Sequence, residues 1–267
     1  MPEDGRVVSA AKVNARHNQK ISAADRLIVA LDVPAIDRAR ALVDELEGSV
    51  SFFKVGLHLQ MLEGSEGLIT DLIDRGKHVF VDYKWTDIPQ SVRGGVLAAA
   101  ARGVHFVTIQ GNGDVTEEML KAAAQARDEA SAAANGGHRV KLFFVTVLTS
   151  LSDADVIGMG IGSSVQDVVL QRARMAYNAG LDGVIASGQE AALIKALATT
   201  RRFEVTTPGI RPAGTSSDDQ KRVTTPFEAV SAGADYLVIG RPILQAADRR
   251  KAAEGIISEM QAAFDGR

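Results

Sequence analysis

Asp82 and Lys84 stand two residues apart in Val81-Asp-Tyr-Lys-Trp-Thr-Asp-Ile-Pro-Gln-Ser91, where an apolar run gives way to a turn. Along a strand, residues i and i+2 project to one face, so the carboxylate and the ammonium share a face while Asp87 falls beyond the strand. Two carboxylates around a lysine outline a charged catalytic centre. Asp87 has a second reading of equal weight: Asp-Ile-Pro is helix-start chemistry, in which the carboxylate accepts backbone N–H bonds and proline is tolerated in the first turn. Trp85, the only tryptophan, can stack on a base, although a lone aromatic beside a strand end more often packs.

Polar residues recur at the ends of other apolar runs: Asp32, Lys54 and Thr149. Any one of them alone is most often a solvated charge or hydroxyl. Their recurrence at strand ends points instead to one shared rim. A second constellation runs from Thr207 to Arg222 and continues in Val238-Ile-Gly-Arg-Pro242. It combines glycines, which let backbone approach a ligand, with Arg211 and Arg241, whose planar forks suit phosphate oxygens. The bland alternative is a surface loop with solvated arginines, and Gly-Arg-Pro alone is a weak signal.

The elements that must position these groups are short. Eight apolar segments, at 27–31, 51–55, 78–82, 105–109, 141–147, 183–186, 203–206 and 235–239, alternate with longer Ala- and Leu-rich stretches. Most are continuously apolar, as expected of parallel strands covered by helices on the outside. The stretches at 35–47, 114–130 and 248–264 carry helical spacing, the second behind a candidate Asp114 cap. Long loops follow Thr149 and Thr207. The predicted fold is α/β, a single-domain (β/α)8 TIM barrel over residues 25–267, a length such a barrel needs. Its C-terminal rim collects strand-end side chains, and the loops after the seventh and eighth strands commonly bind phosphate.

Composition narrows the function classes. The chain has 267 residues, no cysteine and a formal charge of -3. Disulfides, thiolate metal sites and cysteine nucleophiles are excluded, and the absence of a basic block argues against general nucleic-acid binding. His17, His58, His78, His105 and His138 are scattered without metal-ligand spacing, so no metal site is expected. Residues 1–24 read as an extension carrying Arg6, Lys12, Arg16 and Lys20 but no apolar run. That excludes a secretory signal or membrane span there and leaves the cytoplasm as the default, with an organelle-targeting peptide the weaker option.

Seven ordered segments then carry a resemblance: Ala30-Leu-Asp32, Lys54-Val-Gly56, Asp82-Tyr-Lys-Trp-Thr-Asp-Ile-Pro89, Val147-Leu-Thr-Ser150, Thr207-Pro-Gly-Ile-Arg-Pro212, Asp219-Gln220 and Ile239-Gly-Arg-Pro242. The chain resembles the orotidine 5'-phosphate decarboxylase family from about residue 26 to 264. The resemblance implies cofactor-free conversion of orotidine 5'-phosphate to uridine 5'-phosphate and CO2, with Lys84 protonating the C6 carbanion. It places Asp82 near the leaving carboxylate, Lys54 in the charge array and Asp32 on the ribose. Thr149 and Ser150 would face the pyrimidine, and Arg211, Gln220, Gly240 and Arg241 would take the phosphate, with Pro208 in the same substrate-binding set. Asp87 would enter the neighbouring subunit's site, with Ser91 supplying a hydroxyl there, so a homodimer is implied.

The chain departs from the common bacterial pattern at Trp85-Thr86, Gln90-Ser91 and Gln110-Gly111, and no charged residue is lost. Two other readings compete. A metal-dependent sugar-phosphate decarboxylase or aldolase shares a D-x-K-x-x-D-like strand end, but not Gly-Ile-Arg-Pro or Asp219-Gln220. A phosphate-sugar binding protein without turnover would not need charges at 54, 82, 84 and 87.

Overall fold

The computed structural model describes residues 22–111, 115–134, 137–213 and 222–267. Eight parallel strands, β1 (Leu27–Ala30), β2 (Phe52–Gly56), β3 (His78–Trp85), β4 (Phe106–Gln110), β5 (Lys141–Val145), β6 (Gly183–Ile185), β7 (Glu204–Thr207) and β8 (Tyr236–Ile239), pair in sequence order. β8 closes on β1, giving the expected (β/α)8 barrel. The strand bounds fall close to the apolar runs, except that β3 extends three residues further, through Trp85.

Continuous apolarity has its cause in two cores. Leu27 and Val29 pack outward beneath the helices, whereas Ile28 and Ala30 point inward with Phe52, Phe80, Phe106, Phe143, Tyr236 and Val238. The inner aromatics lock edge to face, with Phe52 and Phe106 ring centroids 4.8 Å apart, so the barrel is a packed core rather than a pore. The same alternation carries Asp32, Lys54, Asp82 and Gly240 onto the inward face above that plug.

Helix starts follow local chemistry. The helix Glu117–Ala133 begins at Thr116, whose hydroxyl accepts the Met119 N–H, and Glu117 and Glu118 complement the helix dipole. The expected cap, Asp114, lies outside the described residues. That helix packs against Pro89–Ala101, and Arg93 bridges the two through a bidentate pair with Glu129. The stretch after Thr149, expected to be a long loop, instead contains the helix Asp153–Gly158, set by a Ser152 and Asp155 capping box. The first 21 residues of the expected N-terminal extension, 1–24, lie outside the described residues. Ala23–Asp25 form a 3-10 turn, with Ala23 buried and its N–H donated to Gln261 at 3.0 Å. Among the described residues no helix is long and apolar enough to cross a membrane.

The N-terminal end of the barrel is closed by charge and aromatic packing. Buried Glu204 accepts both bonds of Lys141, at 2.8 and 2.9 Å, and Lys141 also reaches the Tyr236 hydroxyl. Beside them His105 lies between His78 and His138, with ring centroids 4.2 and 4.6 Å away, tilted against the first and edge-on to the second. Scattered in sequence, these histidines meet because His78 opens β3 and the other two flank the starts of β4 and β5. His105 Nδ1 accepts the Val79 N–H. Burial first, then His78, His138 and Lys141, push the His105 imidazole down to about 3.

An unfolded histidine titrates near ~6.5, so below that pH the unfolded chain binds the proton that folded His105 refuses. Stability is therefore expected to fall as pH drops from about 6.5 towards 3. His105→Asn, which keeps an acceptor for Val79, should flatten that acid limb in urea denaturation. An unchanged limb would remove His105 as its source.

Candidate active site

At the opposite end the strand termini surround a cavity of about 530 Å³. Its walls include Asp32 after β1, Lys54 on β2, Asp82 and Lys84 on β3, Thr149 and Ser150 after β5, Pro208 and Arg211 after β7, and Gly240 and Arg241 after β8. Ten of the expected site residues are thus gathered in one place. Apolar side chains, among them Phe80, Val145, Ile185 and Val238, form its floor.

The charges stand in an alternating row. Lys54 Nζ lies 3.3 Å from Asp32 Oδ1 and 3.4 Å from Asp82 Oδ2, and Lys84 Nζ lies 3.0 Å from Asp82 Oδ1. Side-chain exposure is 10% for Lys54 and 14% for Asp82, against 35% for Lys84 and 59% for Asp32, so the middle pair is shielded and the ends are open. Burial opposes the charged forms of both middle groups, but their partners outweigh it. Asp82 and Asp32 hold the Lys54 ammonium above the usual lysine range. Lys54, Lys84 and the Thr108 hydroxyl hold the Asp82 carboxyl below the usual carboxylate range. Gly56 makes room for this array, because a Cβ there would meet Lys54 Nζ at 2.8 Å.

Lys84 has a φ of 52°, the one positive φ outside glycine among the described residues. β3 pairs regularly with β4 through Val81 and Val107, then slips so that Trp85 pairs with Ile109. Asp82 and Lys84 therefore flank a bulge rather than sitting on a plain strand, and bulges of this kind re-aim side chains. Thr108, absent from the expected site, is buried opposite the bulge and bonds both residues. Its signal was a lone inward hydroxyl in Phe106-Val-Thr-Ile-Gln110, two residues beyond a core phenylalanine.

The loops after β5 and β7 are held from below. Arg211 N–H donates to the Thr224 carbonyl at 3.0 Å, and Gly209 takes a φ of 75° that favours glycine. Buried Glu190 binds Arg222 at 2.7 Å, and Arg222 also donates to the carbonyls of Val147 and Leu148. The loop ends after β5 and β7 are thereby tied together. At Gly240 a Cβ would lie 3.6 Å from Asp32 and Ala30, ordinary contact, so packing within the chain does not demand glycine there.

Two of the described expected site residues are not brought in. Asp87 and Ser91 are exposed and line no part of this cavity, and Gln220 lies outside the described residues. The capping reading of Asp87 also needs correction: the N-cap of Pro89–Ala101 is Ile88, without a side-chain cap bond, and Asp87 Oδ1 accepts only the adjacent Ile88 N–H at 2.6 Å. The chain enters the helix one residue later than that reading requires. Trp85 packs on the helix at Gly95 instead of lining the cavity, and the Thr86 hydroxyl donates to the Gln110 carbonyl. No group of three or more His, Asp or Glu among the described residues is placed to hold a metal ion.

The chain is similar to known proteins in sequence and in fold. A family model described as Orotidine 5'-phosphate decarboxylase / HUMPS family matches residues 25–256. The chain is 44% identical over 236 residues to an orotidine 5'-phosphate decarboxylase of Rhodopseudomonas palustris strain HaA2, covering 88% of this chain and 94% of that protein. It is 46% identical over 238 residues to one from Nitrobacter winogradskyi, covering 89% and 93%. The crystal structure of orotidine 5'-phosphate decarboxylase from Lactobacillus acidophilus is similar with a TM-score of 0.73 at 33% identity, covering 88% of this chain and 99% of that one.

Proposed function

The chain belongs to the orotidine 5'-phosphate decarboxylase / HUMPS family, and from that premise we propose that it converts orotidine 5'-phosphate to uridine 5'-phosphate and CO2 in pyrimidine nucleotide synthesis. The observation that carries this reading is the row Asp32, Lys54, Asp82, Lys84 along a cavity whose β7 and β8 side holds Arg211 and Arg241. Loss of CO2 breaks the bond from C6 to the carboxylate and leaves its electron pair on C6. The Lys84 ammonium stabilises that charge and then gives its proton to C6, ending as a neutral amine. No cofactor is required for this sequence of bond changes.

Opposite charges at ~4 Å gain about 4 kcal/mol at an effective dielectric of 20, short of the ~8–23 kcal/mol enzymes commonly supply. The remainder comes from remote binding energy: a phosphate gripped through Arg211, Gln220, Gly240 and Arg241 holds the pyrimidine against the charged row. In this reading Asp32 takes the ribose, Thr149 and Ser150 face the ring, and Pro208 bounds the substrate on the β7 side.

The working unit in this reading is a cytoplasmic homodimer in which Asp87 and Ser91 enter the partner's site. Both are exposed beside their own cavity, and the adjoining rim displays apolar surface: Ile88 is 66% exposed, with Leu57 at 66% and Met61 at 79% after the neighbouring strand β2. Such surface is characteristic of a face that pairs.

The direct test is the ultraviolet assay of orotidine 5'-phosphate consumption, run with and without a chelator. Turnover unaffected by chelation is expected. Activity lost to chelator and restored by a divalent cation would replace this reading with a metal-dependent sugar-phosphate reaction.

A further inference from the structure

The bulge in β3 leaves a question of what holds Lys84 in place. Between the pairs Val81 with Val107 and Trp85 with Ile109, three residues of β3 face the single residue Thr108 of β4. The regular ladder is broken there, and Lys84 adopts a left-handed backbone that lysine has no intrinsic means of favouring. Thr108 is buried at 1% exposure, and its hydroxyl closes both loose ends. Oγ1 accepts the Lys84 N–H at 3.0 Å and donates to Asp82 Oδ1 at 2.9 Å.

The directions of these bonds follow from chemistry alone. A backbone amide can only donate and a carboxylate can only accept, so one hydroxyl serves both through its single proton and a lone pair. The main chain of Lys84 and the side chain of Asp82 are consequently referred to one atom, which sets where the Lys84 ammonium emerges relative to its counter-ion.

We propose that Thr108 is a positioning residue for the reaction: its hydroxyl holds Lys84 in the left-handed conformation that presents the ammonium to the substrate. The proposal rests on the reading of Lys84 as proton donor. Thr108 contacts neither the phosphate side nor the cavity, so its influence should fall on the chemical step and leave substrate affinity nearly intact.

Thr108→Val keeps the shape and removes both bonds, whereas Thr108→Ser keeps both. For Thr108→Val, kcat is expected to fall about 100-fold, the scale of a small misplacement of a reacting group, with KM changed by no more than about threefold. Thr108→Ser should return kcat to within about threefold of wild type. The acid limb of the kcat profile should move to higher pH in Thr108→Val, since Asp82 loses a donor that favours its charged form. A kcat loss below about threefold in Thr108→Val, or an equal loss in Thr108→Ser, overturns the proposal.

Amide hydrogen exchange separates this question from the reaction itself. Protection of the Lys84 N–H should be lost in Thr108→Val and kept in Thr108→Ser, and unchanged protection in the valine variant overturns the proposal whatever the substrate. A wild-type chain inactive on orotidine 5'-phosphate would instead defeat the functional reading alone.

Discussion

Replacing Lys84 by alanine is expected to lower turnover of orotidine 5'-phosphate by about 10⁴-fold or more, because one side chain supplies both a proton and the nearest positive charge. General acid catalysis contributes roughly 10²–10⁴-fold, and a preorganised electrostatic contact about 10²–10³-fold. The two are lost together, and they act on the same developing carbanion. Binding of uridine 5'-phosphate should persist, since Arg211 and Arg241 occupy the other side of the cavity. Calorimetric titration beside the ultraviolet assay checks both parts. A variant retaining more than about one-hundredth of wild-type turnover would remove Lys84 from the proton-donor role.

Lys54→Ala should damage both activity and stability. Lys54 is the shared partner of Asp32 and Asp82, and its loss leaves a shielded carboxylate whose remaining supports are Lys84 and the Thr108 hydroxyl. Removing one member of a buried pair typically costs about 3–5 kcal/mol, and the surviving contacts place this case toward the lower end. Turnover should fall by at least about 100-fold, as the charge row loses its alignment. Urea denaturation supplies the decisive comparison. The double variant Lys54→Ala, Asp82→Ala should be more stable than Lys54→Ala alone, because the uncompensated carboxylate is gone. A double variant destabilised by the sum of the two single changes would show that the pair is not coupled in the fold.

The barrel was legible because its strands are short apolar runs at regular spacing that alternate with helical stretches, and a run such as Leu-Ile-Val-Ala suits a strand covered on both faces in a parallel sheet. Strand-end polarity likewise disclosed Asp32, Lys54 and Asp82, which side-chain alternation puts on the inward face, and Lys84 beside them, which reaches the same cavity only through the bulge. The bulge was not legible. Asp-Tyr-Lys-Trp contains no glycine or proline to mark it, and the slip depends on the partner strand, where Thr108 sits. The three-histidine cluster was hidden for a similar reason, as residues 78, 105 and 138 become neighbours only when β3, β4 and β5 are laid side by side. Asp87 illustrates a third limit. Its position in Asp-Ile-Pro suited a helix cap, yet the helix enters at Ile88, so local propensity misjudged the boundary by one residue.

The uneven shielding along the charge row bears on how the enzyme resets after each turnover. In the proposed reaction Lys84 ends as a neutral amine and must be recharged from water before the next substrate arrives. Lys84 is the member of the Lys54, Asp82, Lys84 trio with the most solvent access, while the other two stay covered. Recharging can therefore proceed through the open end of the row without disturbing Lys54 or Asp82, so the polarised background survives from cycle to cycle and only one group is regenerated.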